Sequence, residues 1–209
     1  MPQPISPTIY VVDDDDTVRS NLAALLSIAG YRVESFSNGR DFLAALDPQR
    51  PGCLLLDLRM DELDGLSVQR EIIARDSRVP VIFMTAAGTI KDSVEAMRCG
   101  AFDFLEKPFS GPAMLERVKA ALDRDTETRQ AQSQLDEAKH GYERLSPRER
   151  EIIELIINGE TSKTIAKKLG ISPRTVDHHR RRILEKLGKD SVAEAAYVLA
   201  LAHPIPPKT

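Results

Sequence analysis

The sequence lacks the features that mark membrane-spanning, secreted and metal-cluster proteins. It has two cysteines, Cys53 and Cys99, which are too far apart along the chain for a CxxC redox pair and too few for a zinc cluster. We predict both to be buried structural thiols of a reducing compartment. No apolar run approaches the roughly 18 residues of a membrane span, and the N-terminus has no basic segment followed by an apolar core. These absences predict a cytoplasmic protein without a membrane partner.

The formal net charge is small, at -3, but the charges are unevenly distributed along the chain. Residues 1–144 carry 17 Lys and Arg against 24 Asp and Glu, whereas residues 145–203 carry 11 against 8. Residues 161–189 alone contain nine basic residues and two acids, Asp177 and Glu185. An acidic front part and a basic back part predict two domains with different partners, the second of which binds phosphate.

The front part repeats one pattern, in which a short apolar run is followed by a helical segment. Apolar runs without alternation predict strands that are covered on both faces, as in a parallel sheet. The predicted strands are residues 9–12, 31–36, 53–57, 79–84 and 102–105. Of these, residues 31–36 alternate apolar and polar side chains, which predicts a half-exposed strand. The predicted helices are residues 17–29, a segment capped by Ser37, residues 66–74, residues 90–99 and a segment that begins at Met114. Five such units predict an α/β fold with a doubly wound, five-stranded parallel sheet.

Polar residues follow four of these strands at their carboxyl ends. Asp13 and Asp14 follow the first strand, and Asp57 ends the third. Thr85 follows the fourth strand and Lys107 the fifth. Since open α/β sheets place their ligands at this edge, we expect these side chains to converge. Carboxylates suit Mg²⁺ and can accept a phosphoryl group, which a hydroxyl and an ammonium can then hold, so the set predicts a magnesium-dependent phosphoryl site.

These segments, in this order, closely resemble the receiver domain of two-component response regulators, which has a flavodoxin-like fold. The matching segments are Val12-Asp13-Asp14, Leu56-Asp57-Leu58-Arg59-Met60, Asp64-Gly65, Thr85-Ala86, Phe104 and Lys107-Pro108-Phe109. The resemblance implies that a sensor histidine kinase phosphorylates Asp57. It also implies that the phosphate is lost by self-hydrolysis, so the protein is not an enzyme with a separate substrate.

The same resemblance implies roles for the neighbouring residues. Mg²⁺ would be held by Asp13, Asp14, Asp57 and the backbone carbonyl of Arg59. Thr85 and Lys107 would contact the phosphoryl group, and Phe104 would turn inward with Thr85 as the activation switch. The family usually has proline after Met60, whereas this chain has Asp61, which leaves the shape of that loop open.

The acidic run also fits a second kind of phosphoryl chemistry. Residues 13–17 satisfy the DxDxT pattern of haloacid-dehalogenase-like phosphatases, with Asp13 as nucleophile and Asp15 as general acid. That alternative gives no role to Asp57 and does not explain the basic back part. In the receiver interpretation, Asp15 and Asp16 cap the first helix, where acids complement the helix dipole.

Beyond the receiver segments, the chain is helical in propensity, but its apolar face thins out after Leu122. We predict a receiver over residues 1–122, a helical linker without a coiled-coil seam over 123–143, and a helical domain over 144–209. Four helices are predicted in the last domain, over residues 147–157, 161–169, 173–187 and 191–201. Prolines 204, 206 and 207 are expected to end the ordered chain.

The helical domain begins with a predicted capping box, in which Ser146 precedes Pro147 and Glu149. A short helix, a tight turn and a basic helix form a helix-turn-helix arrangement. The segments that carry a resemblance to the LuxR-type domain of the FixJ/NarL family are Leu145 to Glu151, Ile165-Ala166, Leu169 to Ser172, Arg174-Thr175-Val176, His179-Arg180 and Lys186-Leu187-Gly188. The resemblance implies that the helix from Pro173 to Leu187 enters the major groove of DNA.

Helical spacing places Val176, Ile183 and Leu187 on the buried face of that helix. The candidate DNA-contacting residues are Lys163, Lys167, Lys168, Arg174, Thr175, His178, His179, Arg182 and Lys186. Asp177 occupies a position at which many relatives have a basic residue. It can accept a hydrogen bond from cytosine, or it can hold Arg180 or Arg181 in place, and both alternatives stay open.

Together, the two resemblances imply a transcriptional response regulator in which phosphorylation of Asp57 raises DNA affinity. The implied cofactor is Mg²⁺, and the implied partners are a histidine kinase, double-stranded DNA, a second copy of the chain and RNA polymerase. Two alternatives from other classes are the metal-dependent phosphatase and a signalling adaptor whose helical tail binds protein.

Overall fold

Five parallel strands form the sheet of the first unit in the computed structural model, which describes residues 6–86 and 97–202. The strands are β1 (Thr8–Val12), β2 (Arg32–Phe36), β3 (Gly52–Asp57), β4 (Val81–Thr85) and β5 (Asp103–Glu106). Their order in the sheet is β2-β1-β3-β4-β5. Strands β1, β3 and β4 are buried along their whole length, whereas β2 lies at the edge and is half exposed. The predicted doubly wound parallel sheet is therefore confirmed.

Helices cover both faces of this sheet. The helices are α1 (Asp16–Ile28), α2 (Gly39–Ala45), α3 (Gly65–Ala74) and α4 (Gly111–Glu143). Alternate strand residues point to opposite faces, so Tyr10 packs with the core under α2 and α3 while Val11 packs with the core under α1 and α4. The helix predicted over residues 90–99 lies mostly outside the described residues.

Two local predictions in the first unit are wrong. Asn38, not Ser37, caps α2, because the backbone is extended at Asn38 and its side chain accepts the N–H of Asp41 at 2.9 Å. Cys53 is buried as predicted, but Cys99 is only half buried. Burial strongly raises the pKa of the Cys53 thiol, so this residue is an inert part of the core.

Helix α4 extends through the whole of the predicted linker. The division of the chain into two units, residues 1–128 and 129–209, falls within this helix. In the first unit, Met114 and Val118 of α4 are buried against the sheet. Asp125 is also buried, at 2% exposure, and its carboxylate accepts the N–H of Gly52 at 3.0 Å. This contact was not predicted from the sequence.

The second unit contains four further helices within its described residues. These are α5 (Pro147–Ile157), α6 (Ser162–Leu169), α7 (Pro173–Leu187) and α8 (Val192–Ala202). Their core includes Ile152, Ile165 and Val176, together with Ala138 from the end of α4. The capping box of Ser146 and Glu149 is confirmed. None of the helices in the described ranges is long and apolar enough to cross a membrane, and the prolines at 204, 206 and 207 lie outside those ranges.

Glycines with positive φ end two of these helices. Gly170 ends α6 with φ 64°, and Gly188 ends α7 with φ 62°. Residues other than glycine rarely adopt this left-handed conformation. The two glycines therefore fix the tight turns on either side of the basic helix, as the sequence predicts.

Candidate functional site

Three polar side chains meet at the carboxyl edge of the sheet. Asp13 follows β1, Asp57 ends β3 and Lys107 follows β5. The Lys107 Nζ atom donates to Asp13 Oδ2 at 2.6 Å and to Asp57 Oδ1 at 2.8 Å. Thr85 ends β4 at the same edge and is buried, and its carbonyl accepts the N–H of Lys107 at 2.7 Å. The convergence expected from the strand order is therefore present.

The two carboxylates of this site are buried, with Asp13 1% and Asp57 7% exposed. The second oxygen of each accepts a backbone N–H, from Asp15 at 3.1 Å and from Arg59 at 3.2 Å. Burial raises the pKa of Asp57, although its hydrogen bond to Lys107 opposes the shift. Burial acts to lower the pKa of Lys107, but its bonds to the two carboxylates outweigh that effect and the net shift is upward. Lys107 therefore stays an ammonium and stabilises two adjacent carboxylates.

The carboxylates of Asp13, Asp14 and Asp57 can hold a metal ion. Each offers an oxygen atom, and these atoms lie within 4.8 Å of one another. Asp14 is exposed, so the group is accessible from solvent. Mg²⁺ prefers such hard oxygen ligands and commonly retains several waters, so a few carboxylates at an open edge fit it well.

The loop that follows Asp57 closes tightly against the end of β3. Gly65 donates its N–H to the Leu58 carbonyl at 3.0 Å. A Cβ atom at Gly65 would lie 2.5 Å from the carbonyl oxygen of Asp57 and 2.9 Å from the Phe83 ring, so the position requires glycine. Asp61, which departs from the family pattern, is exposed on this loop. The loop closes on β3 with Asp61 pointing into solvent.

The other acids of the N-terminal run have structural partners. The Asp15 carboxylate caps α1 by accepting the N–H groups of Thr17 at 2.7 Å and Val18 at 3.3 Å. These bonds lower the pKa of Asp15, and Asp16 pairs with Arg19 in the first turn of α1. Arg19 also donates to the Asp13 carbonyl at 2.7 Å. This arginine was not among the predicted site residues, although its spacing from Asp16 is that of a helical ion pair.

Phe104 lies next to the site on β5. It is half buried and pairs in register with Phe83, whose ring centroid is 6.3 Å away. Phe83 belongs to the core beneath α2 and α3, and Phe104 packs against that core. Phe104 thus connects the edge of the sheet with that core, and its role as a switch stays a prediction.

The basic helix α7 of the second unit has the predicted buried face. Val176 and Ile183 are fully buried and Leu187 packs against the same core. Most of the candidate DNA-contacting residues are exposed, namely Lys163, Lys167, Lys168, Arg174, His178 and Arg182. Thr175 and His179 are half buried, and Thr175 shares a hydrogen bond of 2.8 Å with Ser172 at the start of the helix.

Two lysines among the candidates have partners within the protein. Lys186 donates to the buried carboxylate of Glu149 at 2.6 Å, and Lys168 pairs with Glu160. Helical spacing alone placed Lys186 on the outer side of α7. It did not reveal Glu149, because that partner lies 37 positions away in the sequence.

Asp177 bonds to the preceding helix instead of pointing alone into solvent. Its Oδ1 atom lies 3.2 Å from the Ser162 hydroxyl, which also accepts a bond of 2.8 Å from Arg180. Ser162 and Arg180 were not among the predicted site residues. Their contact joins residues of two helices, and no local sequence pattern signals it.

Both parts of the chain match known families. The family model of the response regulator receiver domain matches residues 9–119, and that of the luxR family of bacterial regulatory proteins matches residues 143–199. The transcriptional regulatory protein FixJ of Azorhizobium caulinodans is 40% identical over 97% of this chain and 96% of its own length. The response regulator protein TodT of Pseudomonas putida is 36% identical over 91% of this chain and 84% of its own length.

Two solved structures are similar over nearly the whole chain. The response regulator StyR has a TM-score of 0.81 and 38% identity, covering 94% of this chain and 99% of StyR. Full-length FixJ from B. japonicum has a TM-score of 0.59 and 34% identity, covering 95% of this chain and 98% of that one. The described fold is therefore that of full-length response regulators.

The phosphatase alternative is wrong. It requires Asp15 to donate a proton, but two N–H groups favour the ionised form of that carboxylate. The similar full-length proteins are transcriptional and response regulators. This chain belongs to the FixJ-type family of two-component response regulators and is a transcriptional regulator controlled by phosphorylation, with a receiver domain followed by a LuxR-type DNA-binding domain.

Proposed function

We propose that Asp57 is the residue that receives the phosphoryl group from the partner histidine kinase. The observation that carries the proposal is the pair of hydrogen bonds from the Lys107 ammonium to Asp13 and Asp57. These bonds place a carboxylate nucleophile, a second carboxylate and a cation at one edge of the sheet. Among them, Asp57 ends its own buried strand, so its carboxylate is held on a rigid element.

The phosphoryl transfer uses residues of this edge. One oxygen of Asp57 attacks the phosphorus atom of the kinase phosphohistidine, a P–O bond forms and the P–N bond breaks. Asp13, Asp14, Asp57 and the Arg59 carbonyl are the proposed ligands of Mg²⁺, which when bound supplies positive charge to the phosphoryl oxygens. Lys107 and Thr85 then hold those oxygens. A water molecule then hydrolyses the acyl phosphate, which releases inorganic phosphate and returns Asp57 to its free carboxylate.

We further propose how the phosphate alters the output. The hydroxyl of Thr85 moves toward the phosphoryl group and Phe104 turns inward, which changes the receiver surface near β5. Receivers in this state pair, so two DNA-binding domains reach one site together. Binding of the second domain then occurs at a high effective concentration and raises overall affinity. DNA-bound dimers contact RNA polymerase to alter transcription.

The proposed DNA surface lies on α6 and α7. It comprises Lys163, Lys167, Arg174, Thr175, His178, His179 and Arg182. Lys186 was also predicted, but its bond to Glu149 favours a structural role. The functional ranges follow the sequence prediction, with the receiver in residues 1–122, the linker in 123–143 and the DNA-binding domain in 144–209. The matches to residues 9–119 and 143–199 support these ranges.

Phosphorylation of the intact chain tests this proposal. Incubation with a small phosphodonor and Mg²⁺ should add one phosphoryl group to the wild-type chain and none to Asp57→Asn. Sedimentation velocity of the same samples at micromolar concentration should show a dimer for the phosphorylated wild type. Chelation of the metal should abolish labelling, because the buried carboxylates then repel the anionic donor.

The matched control is Asp47→Asn, which removes an exposed acid of the same unit. It should be phosphorylated like the wild type. Label that persists in Asp57→Asn and disappears in Asp13→Asn would refute the assignment of the phosphoacceptor. Equal sedimentation with and without phosphate would refute the pairing of receivers but not the assignment of the phosphoacceptor.

A further inference from the structure

We infer that Arg180 binds a DNA phosphate and that Ser162 and Asp177 are positioning residues that hold its guanidinium. This inference rests on the proposed DNA-binding role of α6 and α7. It concerns three residues outside the proposed DNA-contacting set. Together they form a hydrogen-bond network that joins the two helices of the helix-turn-helix.

The Ser162 hydroxyl is the centre of this hydrogen-bond network. It accepts a hydrogen bond from Arg180 Nη1 at 2.8 Å, and its own proton points to Asp177 Oδ1, 3.2 Å away. A hydroxyl has one donor and two acceptor sites, so it can make both bonds at once. Asp177 therefore orients the Ser162 hydroxyl, and the hydroxyl in turn orients the guanidinium.

This network places the positive charge of Arg180 near the N-terminal end of α6, where an anion can bind. Ser162 is the first residue of that helix, so the Arg180 guanidinium lies beside the helix N-terminus. The backbone N–H groups and the helix dipole at such an end both favour anions. Lys163, the next residue, is exposed and adds a second positive charge. The guanidinium has five N–H groups in a planar fork, of which the bond to Ser162 uses one, so it can also pair with a phosphate.

The geometry also distinguishes the two possible roles of Asp177. A residue that reads cytosine must present its carboxylate to the base edge. Here one carboxylate oxygen faces Ser162 on the neighbouring helix. An unpaired acid at a DNA surface would repel the phosphates, whereas an acid that holds an arginine in place offsets that cost. The bond to Ser162 favours the positioning role.

Four substitutions in the full chain separate these roles. The probe is a set of short DNA duplexes that the phosphorylated wild type enriches from a randomised pool, and the readout is affinity at several salt concentrations. Arg180→Gln should weaken binding to every duplex and reduce the salt slope by about one. Ser162→Ala should weaken binding about two- to tenfold, the effect of losing one such hydrogen bond.

Two substitutions of Asp177 isolate its hydrogen bond from its charge. Asp177→Asn and Asp177→Ala remove the same negative charge, but asparagine keeps an oxygen that can accept from Ser162. Asp177→Ala should therefore bind about two- to tenfold more weakly than Asp177→Asn. The double variant Asp177→Ala with Ser162→Ala should bind DNA only slightly more weakly than either single variant, because both substitutions break the same hydrogen-bond network.

Further variants separate an effect on DNA binding from a loss of folding, and separate the role of Arg180 from that of the proposed DNA surface. Glu185→Gln removes an exposed acid from the same helix and should not weaken binding. Thermal unfolding of each variant reports any loss of structure, and Arg180→Lys should keep the salt slope because it keeps the charge. Arg182 belongs to the proposed DNA surface. A loss of DNA affinity in Arg182→Gln would support that surface even if Arg180→Gln binds DNA like the wild type.

Four results would overturn the inference. An unchanged salt slope in Arg180→Gln would mean that the guanidinium only joins α6 to α7. Equal affinities of Asp177→Ala and Asp177→Asn would remove the positioning role. A change of preference at one base pair in both Asp177 variants would assign base reading to that residue instead. Failure of the wild type to enrich any duplex would overturn both this inference and the proposed DNA surface.

Discussion

Glu149 joins the capping of α5 to the packing of α7. Its carboxylate is buried at 3% exposure and accepts the Ser146 N–H at 2.7 Å and the Lys186 ammonium at 2.6 Å. Burial alone would raise its pKa, but the bonds to Lys186 and Ser146 outweigh that effect and lower it from 4.5 to about 2. The folded state thus favours the ionised carboxylate more than the unfolded state does.

This difference predicts a specific loss of stability in acid. Because the folded pKa is lower than the unfolded one, the contribution is complete above pH 4.5 and is lost as the pH falls toward 2. It amounts to about 2 kcal/mol once the exposure of Lys186 is allowed for. Urea unfolding of wild type and Glu149→Gln can be followed through amide signals of α5. The free energy of unfolding of the wild type should exceed that of the variant at pH 6, and the difference should narrow at pH 3. A difference that does not depend on pH would contradict this prediction.

Single residues differ in how far the sequence reveals them. Asp13, Asp57 and Lys107 were predicted because each directly follows or ends an apolar strand, and parallel strands share their carboxyl edge. The bond of Lys186 to Glu149 and the bonds of Ser162 to Asp177 and Arg180 were not predicted, because these contacts lie between helices, 37 and 15 to 18 positions apart in the sequence. Such contacts depend on helix packing, which local spacing does not encode.

At the scale of elements, α4 is tied to the sheet by a buried carboxylate. Asp125 lies within the predicted linker, where apolar residues are sparse, and its carboxylate accepts the N–H of Gly52 at the start of β3. A Cβ atom at Gly52 would lie 2.0 Å from the Thr8 carbonyl oxygen, so this end of the sheet is tightly packed. The carboxylate fixes one turn of α4 against the end of β3 opposite to Asp57.

Loss of this carboxylate should loosen the start of β3. Asp125→Ala leaves the Gly52 N–H without this acceptor, which costs about 1–3 kcal/mol for a buried donor. Hydrogen exchange of the Gly52 amide in the full chain should become roughly tenfold faster or more. Asp125→Asn keeps an acceptor and should have a smaller effect. Asp123→Ala, at an exposed position of the same helix, is the matched control, and unchanged exchange in Asp125→Ala would refute the anchoring role.

Elements themselves were largely predictable from local pattern. The capping box at α5 and the glycines after α6 and α7 are short-range signals, and the structure has them where the sequence places them. The cap of α2 was assigned one residue too early because Ser37 and Asn38 can both cap a helix. The extended backbone at Asn38, which the sequence does not specify, decides between them.

At the scale of the whole molecule, the uneven charge and the two groups of motifs were enough to predict two domains. An acidic α/β part with converging carboxylates and a basic helical part suit two different kinds of phosphate chemistry. Family matches to residues 9–119 and 143–199 agree with that division. The effect of one domain on the other depends on a change of state, so neither the sequence nor one conformation specifies its size.

If phosphorylation of Asp57 controls DNA binding, the affinity of the protein for DNA must change when Asp57 is phosphorylated. The affinity of the full chain for its enriched duplex is measured with and without a small phosphodonor and Mg²⁺, for wild type and for Asp57→Asn. We expect the phosphodonor to raise the wild-type affinity about tenfold or more, within the usual range of coupling between two sites, and to leave Asp57→Asn unchanged. Equal wild-type affinities under both conditions, or an equal rise in Asp57→Asn, would contradict the account.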